Sequence, residues 1–145
     1  MDVNKLIKAL DNEYNEKLIQ LSTKKIKEIN KKILLELPIS KDKLKTFISK
    51  LKDYKYVDEL NDLKYGTYIR WINLTNIDNL DNIELTKGAI FCETKITDSG
   101  IILICKGFGL YKNFFQLKME DCLVFQHLTN QEKVLLNALD YLDDK

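Results

Sequence analysis

The chain has 145 residues, 45% of them hydrophobic, and its 23 basic and 22 acidic residues leave a formal charge of +1 at neutral pH. That is enough apolar material for one domain, or a small domain with a helical appendage, to build a core without metal or disulfide staples. The longest apolar run, Ile101-Ile102-Leu103-Ile104-Cys105, is far too short to span a membrane.

The start, Met1-Asp2-Val3-Asn4-Lys5, carries an acid and no apolar signal core, so nothing in it points to export. Cys92, Cys105 and Cys122 are an odd set with no close pair, which speaks against a disulfide framework and for a reducing, intracellular compartment, cytoplasmic or nuclear. Almost every basic residue is lysine, and Arg70 is the single arginine. With asparagine and isoleucine also abundant, this is the imprint of AT-rich coding, which weakens any argument from lysine number and draws attention to Arg70.

In chain order, Val3, Leu6, Ile7, Leu10, Tyr14, Leu18 and Leu21 recur at three- and four-residue steps and predict an amphipathic helix. Ser22-Thr23 interrupts the rhythm, and Ile26, Ile29, Ile33 and Leu37 resume it in a new phase. Either one long helix bends there or two helices abut with Ser22 or Thr23 as N-cap. Pro38 ends this run. Ser40 then caps a short helix with Leu44, Phe47, Ile48 and Leu51 on one side. Residues 53–64 are ambiguous, with room for one helical turn around Val57 and Leu60.

From Tyr65 the pattern turns to strands. Five are predicted: Thr67–Leu74, Gly88–Thr97, Ile101–Phe108, Asn113–Lys118 and Leu123–Leu128. Asp98-Ser99-Gly100 is a hairpin turn between the second and third. If its loop is Asp98-Ser99, Cys92 stands across from Cys105; a three-residue loop brings Glu93 there instead. The third strand is apolar on both faces, as a strand packed on each side would be. Thr129-Asn130-Gln131-Glu132 has the form of a capping box, followed by a helical stripe of Val134, Leu135, Ala138, Leu139 and Leu142.

The expected fold is therefore α+β. An N-terminal helical segment, residues 1–64, precedes a domain of residues 65–145: a five-stranded antiparallel, SH3-like small barrel or bent sheet closed by the C-terminal helix.

No enzymatic signature emerges. His127, the only histidine, and Cys122 are five apart, so on one strand they face opposite sides. The thiols are not spaced as zinc-ligand pairs and read as small hydrophobes. Gly107-Phe108-Gly109 lacks the lysine and hydroxyl of a phosphate loop, and Asp78, Asp81 and Glu84 lack the spacing of a calcium loop. No metal, cofactor or small-molecule substrate is indicated.

Charge is uneven. Residues 22–52 hold ten lysines against Glu28, Glu36 and Asp42, a net +7 in a chain that totals +1. Lys24, Lys25, Lys31, Lys32, Lys43 and Lys45 are candidates for holding a phosphate backbone, although the solvated face of lysine-biased helices is the simpler explanation. Tyr68 and Arg70 share one face of the first predicted strand. If Ile69 and Trp71 point to the core, that pair looks outward, joined by Phe114, Gln116 and Lys118, and forms an aromatic and basic surface for nucleic acid or peptide. Alternatively Tyr68 packs under the helices.

The segments Gly66-Thr67-Tyr68-Ile69-Arg70-Trp71-Ile72-Asn73-Leu74 and Val124-Phe125-Gln126-His127-Leu128-Thr129-Asn130-Gln131-Glu132-Lys133-Val134-Leu135-Leu136 resemble small uncharacterised proteins of giant nucleocytoplasmic large DNA viruses. The resemblance covers the C-terminal half and implies an intracellular viral setting, such as a viral factory or virion, with no activity or site attached. The expectation is a non-catalytic binding module, associated with nucleic acid through the lysine-rich segment. The alternative is a protein-interaction or assembly role, with the Leu6–Leu21 stripe pairing between chains.

Overall fold

The computed structural model describes residues 3–11, 22–75, 83–107 and 113–143. Its helices are α1 (Val3–Asp11), α2 (Thr23–Leu35), α3 (Lys41–Lys50) and α4 (Asn130–Asp143). Its strands are β1 (Tyr54–Tyr56), β2 (Tyr68–Asn73), β3 (Ala89–Thr97), β4 (Gly100–Lys106), β5 (Phe114–Lys118) and β6 (Cys122–His127). All six join one antiparallel sheet in the order β1-β6-β2-β3-β4-β5, open at its β1 and β5 edges. The α+β class stands. The five expected strands gain a sixth, because Tyr54–Tyr56, in the ambiguous stretch, pairs with Phe125–His127. The helical turn anticipated nearby is a single 3-10 turn at Leu60–Asp62.

Local chemistry sets the helix ends. Ser22 Oγ accepts from the Lys25 N–H and Ser40 Oγ from the Lys43 N–H, each satisfying an amide that the first helical turn leaves without a partner. The capping box closes both ways: the Thr129 N–H donates to Glu132 Oε1 at 2.9 Å, and the Glu132 N–H to Thr129 Oγ1 at 3.1 Å. Tyr14, Leu18, Leu21, Asp78, Asp81, Phe108 and Gly109 lie outside the described residues.

Two cores sandwich the sheet. On the inner face, Ile69 and Trp71 of β2, Ala89 and Phe91 of β3, Leu103 and Cys105 of β4, and Val124 of β6 are buried together. Curvature brings the rings of Trp71 and Phe115 to 5.7 Å although two strands separate β2 from β5. On the outer face, α2 and α3 set Leu34, Phe47 and Leu51 against Ile72 and Phe125, so they cover only the β1-β6-β2 part. A third cluster joins Ile26 of α2 to Leu128, Leu135 and Leu136, with Leu6 of α1 at its margin. The last helix thus packs on other helices.

Several details depart from the sequence pattern. The buried face of α2 is Ile26, Asn30 and Leu34, which turns Ile29 outward. The rotation places a polar side chain inside because Asn30 bonds to strand β1. On α4, Leu142 is exposed and Leu136 takes a core position. The β3–β4 hairpin has the two-residue loop, pairing Thr97 with Gly100, yet Cys105 faces Phe91. A bulge between Phe91 and Glu93 steps Cys92 out of register. Among the described residues strand β4 is packed on one side: Leu103 and Cys105 are buried, whereas Ile102 and Ile104 are half-buried and belong to none of the three clusters. Among the described residues no helix is long and apolar enough to cross a membrane.

Candidate functional site

The inner position of Ile69 and Trp71 turns Tyr68 and Arg70 to the outer face by the two-residue period of the strand. Tyr68 is 48% exposed, so it does not pack under the helices. Strand registers then place Tyr68 in a line that crosses the whole sheet. Tyr54 stands opposite His127, Tyr68 opposite Ile90, Ile90 opposite Lys106, and Lys106 opposite Phe114. The His127–Tyr68 step follows from the neighbouring Ile69–Gln126 pair, and the two rings meet edge-on at 6.4 Å. Tyr54 meets the other side of the imidazole at 4.9 Å. At about 4.8 Å per strand this row runs roughly 24 Å.

The row is aromatic at both ends and flanked by cations. Phe114 is 65% exposed, with Lys106 Nζ 5.7 Å above its ring centre. Gln116 and Lys118 share its face of β5. Arg70 is half-buried, and its Nε donates to the Thr86 carbonyl at 2.8 Å. Gly88 makes room for it: at φ +100°, a Cβ there would lie 2.5 Å from the Ile69 carbonyl oxygen and 3.1 Å from Arg70 Cγ. Among the described residues no carboxylate pairs with Arg70, Lys106 or Lys118. His127 Nδ1 lies 2.8 Å from the Leu128 carbonyl, which can only accept, so Nδ1 carries the proton.

The helical lysines form a separate surface. Lys24, Lys25, Lys31 and Lys32 project from α2 into solvent, and Lys45 from α3. Lys43 is instead paired with Glu84 at 2.9 Å. Lys24, Lys27 and Lys31 line an open groove of about 570 Å³ with Ile48 and Asp140. Its anion position is already filled, because the Asp140 carboxylate takes the Thr23 N–H at 3.2 Å and the Thr23 hydroxyl at 2.6 Å. No hydrogen bond, ion pair or ring contact among the described residues connects these lysines to the sheet row.

Cys122 and His127 stand at opposite ends and on opposite faces of β6. Burial pushes the Cys105 thiol up to about 12, with further contributions from Cys92 and Cys122. Burial and then Asp121 push Cys122 up to about 11, so neither is a ready nucleophile. Among the described residues no three histidine, cysteine, aspartate or glutamate side chains gather as metal ligands would.

One interior cluster was not legible beforehand. Glu132, 0% exposed, accepts from Lys55 Nζ at 2.6 Å and lies 3.5 Å from Lys64 Nζ. Its burial favours the neutral acid, but Lys55, the Thr129 N–H and Lys64 together outweigh this and hold the carboxyl below its ordinary range. Beside it, buried Gln126 accepts the Lys64 N–H at 2.6 Å and donates to the Asp62 carbonyl at 3.1 Å, fastening the loop before β2. The capping box marks Glu132 in the sequence; nothing there marks its two lysines. Every polar atom of this cluster has a structural partner, which makes it a tie between β1, the loop and α4. No family model, curated protein or solved structure matches this chain.

Proposed function

We propose that the chain is a non-catalytic binding module that holds single-stranded nucleic acid on its outer sheet face. The observation that supports this is the exposed rings of Tyr68 and Phe114 on one sheet face, beside Arg70, Lys106 and Lys118, which have no carboxylate partner among the described residues. Aromatic side chains offer stacking faces to any base, and unpaired cations beside them take the phosphates. On this reading the curled β2–β5 sheet works as SH3-like and other small barrels do, by an outer face rather than a cleft. The α2 and α3 lysines Lys24, Lys25, Lys31, Lys32 and Lys45 add sequence-independent attraction from a second side.

Fluorescence anisotropy with labelled single-stranded DNA and RNA, from low to moderate salt, tests this. Removing the rings in Tyr68→Ala or Phe114→Ala weakens binding by about 1–3 kcal/mol each and leaves the salt slope unchanged. Removing a cation in Arg70→Ala or Lys118→Ala lowers that slope by about 0.7. Absence of binding at low salt, or binding indifferent to the double ring variant, refutes the proposal.

A second reading, assembly through α1, is supported by the exposure of Val3 and Ile7 while Leu6 turns toward α4. Ile7→Glu would then shift the mass measured by light scattering.

A further inference from the structure

The two edges of the sheet are finished differently. At β1 most outward backbone groups are taken within the chain: Asn30 Nδ2 donates to the Tyr54 carbonyl at 2.8 Å, Asn30 Oδ1 accepts from the Tyr56 N–H at 2.9 Å, and the Tyr54 N–H donates to the Leu51 carbonyl at 3.0 Å. Asn30 thus stands in for a further strand. Among the described residues the β5 edge has no such cover. The Gly107 N–H donates to the Asn113 carbonyl, which makes Gly107 and Asn113 a hydrogen-bonded pair. In the same register Phe115 and Leu117 bond inward to Cys105 and Leu103, and Phe114, Gln116 and Lys118 point their N–H and C=O groups away from β4. Among the described residues no hydrogen bond reaches the outward N–H groups of this edge or the Phe114 and Gln116 carbonyls, whereas the Lys118 carbonyl opens the 3-10 turn Met119–Asp121. No proline or bulge interrupts them either, and Phe114 stands exposed among them.

We propose that this edge pairs with the same edge of a second copy, β5 antiparallel to β5 about a twofold axis at Gln116. The sequence of the edge is self-complementary in that arrangement. Gln116 meets Gln116 of the other copy, where two amides can bond to each other. Phe114 meets Lys118 of the other copy, repeating the ring-and-ammonium contact that Phe114 already makes with Lys106. Each of the three outward pairs exchanges two backbone bonds, about six in all, with the Lys118 carbonyl accepting through its second lone pair. The helices on the outer face lie over β1 and β6, at the opposite edge, so they leave room for the second copy. An edge this short buries less than the roughly 1,200 Å² of a standard interface, so the dimer is weak, on the order of 10 μM.

The test is sedimentation or light scattering on nucleic-acid-free protein from about 5 to 500 μM, with amide exchange followed at both ends of that range. The expected mass rises from the 17.0 kDa chain to twice that value, and the amides of Phe114, Gln116 and Lys118 slow with concentration. Gln116→Pro removes one outward N–H without touching a β4 bond and holds the protein as a monomer. If that variant does not fold, Phe114→Lys weakens pairing at least tenfold by setting like charges opposite one another, and Phe114→Glu retains it. A monomer at the highest concentration overturns the proposal. So does a dimer that survives both Gln116→Pro and Phe114→Lys, or one dissolved by Ile7→Glu instead.

Discussion

Replacing Glu132 by glutamine separates two roles of one side chain. Glutamine keeps an oxygen for the Thr129 N–H, so the capping box persists, but the charge facing Lys55 and Lys64 is lost. Breaking a fully buried ion pair costs about 3–5 kcal/mol, chiefly because the remaining charge is left without a partner. Here the lysine side chains keep 16% and 18% of their exposure, so their ammonium groups can swing toward water, and about 2–3 kcal/mol is expected. In urea this lowers the midpoint by roughly 1–2 M at unchanged slope. Glu132→Ala adds about 1 kcal/mol for the lost cap. The pH dependence has a definite sign. A carboxyl held below its ordinary value stabilises the fold above that value, 4.5, and the contribution is lost as pH falls through the lower folded value. Wild-type protein therefore loses the advantage over Glu132→Gln below about pH 4.5. A Glu132→Gln midpoint within about 0.5 kcal/mol of wild type at pH 7, or a gap that persists undiminished at pH 2, refutes the reasoning.

Three further outcomes are expected. Asn30→Ala leaves the Tyr54 carbonyl and Tyr56 N–H without their partner, lowers stability by about 2 kcal/mol in urea, and opens a second sheet edge that light scattering detects as species beyond a dimer. Gly88→Ala drives a Cβ into the Ile69 carbonyl at a left-handed backbone position, and lowers the calorimetric melting temperature by about 6–10 °C. Alkylation of the native protein at pH 8, followed by mass spectrometry, modifies Cys92 first. Half-buried Cys122, its thiol raised to about 11, follows slowly, and buried Cys105, raised to about 12, reacts only on unfolding.

What the sequence conveyed was periodicity and end signals. The Ser22, Ser40 and Thr129 caps and the turn at Asp98-Ser99-Gly100 are local devices found where local chemistry puts them, whereas the loop length, open in the sequence, is fixed at two residues by the register. The pairing of Phe114, Gln116 and Lys118 with Tyr68 and Arg70 on one face followed from alternation alone. Tertiary exchange was the part hidden. Tyr54–Tyr56 is too short to show a pattern and becomes a strand only because Phe125–His127 offers it a ladder. Asn30 broke the apolar rhythm of α2 because its partners lie on β1, 24 and 26 residues away. The bulge at Cys92 shifts the register without a residue type that announces it. Ile90, Lys106 and His127 joined the row through registers no local motif encodes, and the helical lysines, prominent by number, proved remote from it.

Asn30 also limits how far the protein can polymerise. A sheet with two bare rims can recruit neighbours indefinitely, as fibrils do, whereas here one rim is plugged from within the same molecule, chiefly by a single amide. Recruitment through the other rim consumes both bare rims at once, so growth terminates at a pair. One carboxamide on a helix thus sets an upper bound on assembly size.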